Sequence, residues 1–119
     1  EVKFSESTPP TINNSKLAKR LRSVWTERMG DDIMMDEAIV EQRSKGMGAE
    51  DFPFFTTDPP IPSVYFAVGG TPVADIKAEE AGGPKVPSHH SPFFKISPEP
   101  AITAGVYATV VALLELMEK

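Results

Sequence analysis

A chain of 119 residues, 40% of them hydrophobic, suffices for one compact domain with a core and is short for two. Twelve basic residues against 17 acidic ones leave a net charge of −5, which gives no electrostatic footing for a phosphate backbone, so no nucleic-acid partner is expected. Without cysteine there are no disulfides, thiolate metal sites or cysteine nucleophiles, and histidine and carboxylates remain as the strong ligands.

Glu1 to Glu6 alternates, with Val2 and Phe4 on one face, which predicts a β-strand that Thr8-Pro9-Pro10-Thr11 turns into an extended connector. There is no initiator methionine and no signal-peptide pattern, so the chain is expected to begin inside something larger. Asn14 or Ser15 then caps a helix whose apolar positions Leu17, Leu21, Val24, Trp25 and Met29 share one face, and Gly30 ends it. Trp25 on that face reads as core rather than as a stacking platform. Ile33 to Val40 is predicted as a strand that leads into a glycine loop, Gly46-Met47-Gly48. Glu50-Asp51-Phe52-Pro53-Phe54-Phe55 starts a short helix, with Asp51 as its cap and Asp58-Pro59-Pro60 as its stop.

Ser63 to Val68 is β-branched and aromatic, as expected of a strand buried on both faces, and Gly69-Gly70 closes it. Thr71 to Ser88 lacks periodicity and is expected to be a long loop. Ser97-Pro98-Glu99-Pro100 is a helix start, and the stripe Ile102, Val106, Val110, Leu113, Leu114 and Met117 follows it. The longest purely apolar run, Val110 to Leu114, falls far below the ~20 residues of a bilayer crossing, so a soluble chain with no membrane partner is expected. The order of elements predicts an α/β layer structure with Leu21, Val24, Trp25, Val64, Phe66, Val68, Val106, Val110 and Leu113 in its core.

Both histidines of the chain stand side by side in Val86-Pro87-Ser88-His89-His90-Ser91-Pro92. A catalytic zinc takes about three protein ligands and an open position for water. In an extended loop neighbouring side chains point to opposite sides, so the pair is not expected to grip one ion together. On spacing alone such a doublet is more often an exposed turn feature than a ligand. Glu50 and Asp51 admit three readings: a carboxylate pair for acid–base work, a support for a metal-bound histidine, or a plain helix cap. No H-E-x-x-H, G-x-S-x-G or phosphate-cradling glycine loop is present.

Five segments in order carry a more specific message: Thr8-Pro9-Pro10-Thr11-Ile12-Asn13, Met47-Gly48-Ala49-Glu50-Asp51-Phe52, Tyr65-Phe66-Ala67-Val68-Gly69, His90-Ser91-Pro92-Phe93-Phe94 and Ala101-Ile102-Thr103-Ala104-Gly105. Together they resemble the C-terminal part of the aminoacylase and carboxypeptidase-type metallo-amidohydrolases, in the branch of hippurate hydrolases and indoleacetyl-amino-acid hydrolases. The resemblance implies a zinc-peptidase-like α/β catalytic domain holding two zinc or manganese ions, interrupted by an αβ lid domain that mediates homodimerisation. Residues 1–13 would then be the end of the lid and a connector, and residues 14–119 the C-terminal segment of the catalytic domain.

By the same resemblance His90 matches a metal ligand, while His89 falls where the family commonly has leucine. Glu50 and Asp51 match a Glu-Asp-Phe motif in a supporting or substrate-positioning role. The remaining ligands and the general-base glutamate would come from upstream sequence. The implied reaction is metal-assisted hydrolysis of a small-molecule amide, an N-acyl amino acid or a relative of one. The metals lower the pKa of a bound water and polarise the carbonyl. The chain alone is expected to be inactive, and the cytoplasm is the favoured compartment. The alternative is a non-catalytic αβ interaction module with the histidine pair in an exposed loop. If the segment needs the rest of its domain, it should leave apolar surface uncovered and self-associate when isolated.

Overall fold

A computed structural model describes Lys3, residues 7–31 and residues 50–118. Apart from Lys3, the strands expected over 1–6 and 33–40 lie outside the described residues, as does the glycine loop at 46–48. The described residues form four helices and no strand: α1 (Ser15–Met29), α2 (Phe54–Thr57), α3 (Val73–Glu80) and α4 (Pro98–Met117). This corrects the expected α/β fold, zinc-peptidase-like or otherwise, because the described chain is helical. It divides into two compact units, Glu1–Phe66 with Val111–Lys119, and Ala67–Val110.

In the first unit the ends of α1 follow from local chemistry. The Asn14 side-chain oxygen accepts the Leu17 N–H at 2.9 Å, satisfying one donor that the helix itself leaves without a partner. Gly30 ends the helix at φ 91°, a conformation that costs a glycine little, and its N–H donates to the Thr26 carbonyl. One turn apart on the inner face, Leu21 and Trp25 are buried, and the Trp25 ring lies 4.9 Å from that of Phe66. The reading of Trp25 as core therefore holds. Asn14→Ala is expected to lower the stability of this unit by about 1 kcal/mol, read as a reduced denaturant midpoint with an unchanged slope.

Ser63 to Val68 forms neither strand nor helix, and these residues are half-buried or exposed, which corrects the expected strand buried on both faces. A side chain takes the place of a sheet neighbour. The Asn13 carboxamide donates to the Tyr65 carbonyl at 2.9 Å and accepts the Tyr65 N–H at 2.7 Å, while the Asn14 N–H donates to the Ser63 carbonyl. One carboxamide thus offers Tyr65 the donor and acceptor that a paired strand would supply.

α2 stops at Asp58 as expected but begins later than expected, with Pro53 at its N-cap position rather than in its first turn. No side chain caps it, and the Asp51 backbone carbonyl accepts the Phe54 N–H instead. Pro53 is fully buried, and its carbonyl accepts the hydroxyls of Thr56 and Thr57. Arg20 of α1 forms an ion pair with the Glu115 carboxylate of α4 and also donates to the Glu115 backbone carbonyl.

In the second unit α3 occupies the middle of the segment expected to be loop. Its end forms a reciprocal cap: Gly82, at φ 86°, donates to the Glu79 carbonyl, and Gly83 donates to the Ala78 carbonyl. A Cβ on Gly83 would lie 2.6 Å from the Ala78 carbonyl oxygen. Gly82→Ala forces an alanine into the left-handed region at a cost of about 1–2 kcal/mol, so amides of α3 are expected to exchange faster with solvent deuterium while those of α1 do not change.

α4 starts at Pro98, with Glu99 in its first turn and the Ala101 N–H donating to the Ser97 carbonyl. Its inward face is made of small residues. Ala108, Val111 and Ala112 are buried, and Ala101, Ala104, Gly105 and Glu115 on the same face are half-buried. The large apolar stripe lies on the other side of the helix and is exposed, from 43% at Val110 to 76% at Met117. Among the expected core residues, Leu21 and Trp25 are therefore buried and Val24 and Val64 half-buried, while Phe66, Val68, Val106, Val110 and Leu113 are exposed. By length and composition alone α4 also meets the requirement for crossing a membrane, with a mean hydropathy of 1.6 over a window that is 11% buried. Thr103, Gly105, Thr109 and Glu115 break the purely apolar runs without making the helix polar on average, which is why run length understated it.

Candidate metal-ligand turn

The segment that carries the histidines is tied down at both ends within the second unit. As the chain leaves α3, the Val86 N–H donates to the Glu79 carboxylate at 2.8 Å. Beyond the histidines the Ser97 N–H donates to the Gly70 carbonyl at 2.7 Å, and Gly70 sits so close to Ile96 that a Cβ would come within 3.1 Å of it.

Two consecutive turns lie between these ties. The Ser91 N–H donates to the Ser88 carbonyl at 2.8 Å, closing a turn with His89 and His90 at its centre. The Phe94 N–H donates to the Ser91 carbonyl, closing a second turn around Pro92 and Phe93, and the Ser91 hydroxyl accepts the Phe93 N–H. Proline at the first central position presets the backbone angle that such a turn needs. The backbone at His89-His90 is therefore turned, where an extended one was expected. The two rings lie 4.3 Å apart at an interplanar angle of 50°, and both residues are exposed.

Glu50 and Asp51 belong to the first unit, His90 to the second. Both acids are exposed at the entry to α2, next to Phe52, whose ring lies 5.3 Å from that of Tyr65. Among the described residues no three histidine or carboxylate side chains come together where they could hold a metal ion. With about three protein ligands needed for a catalytic zinc, the described residues do not complete a metal site by themselves. His90 is one accessible donor.

Two features escaped the sequence reading. Ser91 closes one turn with its backbone and braces the next with its hydroxyl, a role signalled by serine before proline. The first unit also holds an open cleft of about 500 Å³ lined by Pro9, Pro10, Ile12, Pro60 and Ile61 together with threonines. The hydroxyls of Thr56 and Thr57 are committed to the Pro53 carbonyl and prolines have no N–H, so the cleft is chiefly apolar.

No model of a known protein family matches the chain, and no solved structure matches it. Similarity of sequence supports, at a coarse level, kinship with the amidohydrolases. The similar protein is the IAA-amino acid hydrolase ILR1-like 2 of Arabidopsis thaliana, 28% identical over 114 residues that cover 96% of this chain. Those residues amount to 22% of the Arabidopsis protein, so the chain spans about a fifth of the length of the curated relative it matches.

Proposed function

We propose that the chain is part of a metal-dependent amidohydrolase that cleaves N-acyl amino acids or related amides. In this reading His90 is one metal ligand of a set completed outside the described residues. The observation that carries the proposal is that 96% of the chain aligns, at 28% identity, with a protein named as an IAA-amino acid hydrolase. The turn adds support, because it presents an accessible imidazole on backbone fixed by the Ser88, Ser91 and Pro92 contacts. Glu50 and Asp51 take a supporting or substrate-positioning role. Residues 1–13 close a lid domain through which the full-length protein pairs as a homodimer, and zinc or manganese is the metal.

The test uses a polypeptide that includes the upstream sequence and measures zinc- or manganese-dependent hydrolysis of a panel of N-acyl amino acids. His90→Ala is expected to remove activity and His89→Ala to retain it. Full activity in His90→Ala would refute the ligand assignment. Hydrolysis that proceeds equally well without metal would refute the reaction class.

A further inference from the structure

We infer that Glu79 is a positioning residue for His90: its carboxylate fixes the chain that enters the histidine turn, through a hydrogen bond rather than through its charge. The inference rests on the proposed role of His90 as a metal ligand. Glu79 lies in the last turn of α3, and its backbone is set by the cap that follows, where the Gly82 N–H donates to the Glu79 carbonyl. Its side chain reaches past the glycines and accepts the Val86 N–H at 2.8 Å. One residue thus brackets the connector between helix and turn.

The connector has few other means of being held. Pro84 and Pro87 carry no N–H, and the Gly83 N–H is committed to the Ala78 carbonyl, which leaves Lys85 and Val86 as the backbone donors before the turn. Val86 places its own on Glu79. What the carboxylate fixes is carried onward, because Pro87 has a preset backbone angle and disfavours helical backbone at Val86. Two residues of chain, at most about 7 Å, then separate Val86 from Ser88, whose carbonyl closes the turn around His89 and His90. The tie on the far side, from Ser97 to Gly70, lies further along the chain. An imidazole whose backbone is already held loses less freedom when it takes up an ion.

The experiment uses protein that includes the upstream sequence and compares the native form with Glu79→Ala, Glu79→Gln and the neighbouring Glu80→Ala. Glutamine keeps an acceptor oxygen and removes the charge, whereas alanine removes both. In Glu79→Ala the Ser91 amide is expected to exchange with solvent deuterium several-fold faster, and zinc affinity, read by chelator competition, to fall about tenfold. Glu79→Gln should stay within about threefold of native on both readings, and Glu80→Ala should match native. Because Glu79 is exposed, thermal unfolding midpoints should agree among the four proteins, which a merely structural role would not allow. Glutamine behaving like alanine, equal losses at Glu79 and Glu80, or no change in Glu79→Ala would overturn the inference and leave the hydrolase reading standing. A native protein with neither zinc affinity nor metal-dependent hydrolysis of N-acyl amino acids would overturn both.

Discussion

His90→Ala is expected to weaken zinc or manganese binding by the complete protein on the order of 100-fold or more, with His89→Ala changing it less than about threefold. The asymmetry is the informative part, because the two rings are only 4.3 Å apart and both residues are exposed. A merely local role for the doublet, such as holding the turn, would make the two substitutions alike. The hydrogen bonds that hold the turn come from the Ser88, Ser91 and Phe94 backbone and the Ser91 hydroxyl, so neither alanine should disturb the fold. Competition against a chromophoric chelator reads the affinities directly. Equal loss in both variants would contradict the assignment of His90, as would full affinity in His90→Ala.

The second large effect concerns packing. Trp25→Ala is expected to destabilise the first unit by about 3–5 kcal/mol, because the ring is 6% exposed and packs against Phe66. Leu113→Ala, in the same unit and equally apolar by sequence, should change stability by less than about 0.5 kcal/mol, since that side chain is 54% exposed. Urea unfolding of the two variants decides the matter. If Leu113→Ala costs as much as Trp25→Ala, the inward face of α4 is not the small-residue face.

The contrast shows what periodicity conveys. In α4 the spacing of the large apolar residues identified a helix correctly, Gly30 marked the end of α1 and Pro98 the start of α4, and the start of α1 was narrowed to Asn14 or Ser15, of which Asn14 is the cap. Two faces of α4 are apolar, however, and the spacing does not say which turns inward. The side lined by Ala101, Ala104, Gly105, Ala108 and Ala112 lets a neighbouring backbone approach more closely than leucine or methionine would.

α3 was missed for a related reason. Pro72 and Gly82-Gly83-Pro84 are typical loop residues, but proline before a helix and a glycine pair after it are also its punctuation. With only Val73 and Ile76 as large apolar residues in between, the periodic signal was weak. At Ser63 to Val68 the β-branched and aromatic residues predicted a strand that does not form, and the backbone polar groups of Tyr65 are met instead by an asparagine side chain 52 residues away in sequence.

The site was legible in kind more than in geometry. The doublet is the chain's whole supply of histidine, but its backbone is turned rather than extended because Ser88 and Ser91 close a turn around it. Asp51 was expected to cap α2, but the N-cap residue is Pro53, and Asp51 contributes only its backbone carbonyl, which accepts the Phe54 N–H.

The most direct test of the central claim is the metal dependence of the reaction in protein that carries the upstream sequence. The protein would be stripped with a chelator, reconstituted with zinc or manganese, and assayed on N-acyl amino acids. Hydrolysis that disappears on chelation and returns with either metal is the predicted result. Hydrolysis that survives exhaustive chelation, or its absence on every N-acyl amino acid after reconstitution, would contradict the account.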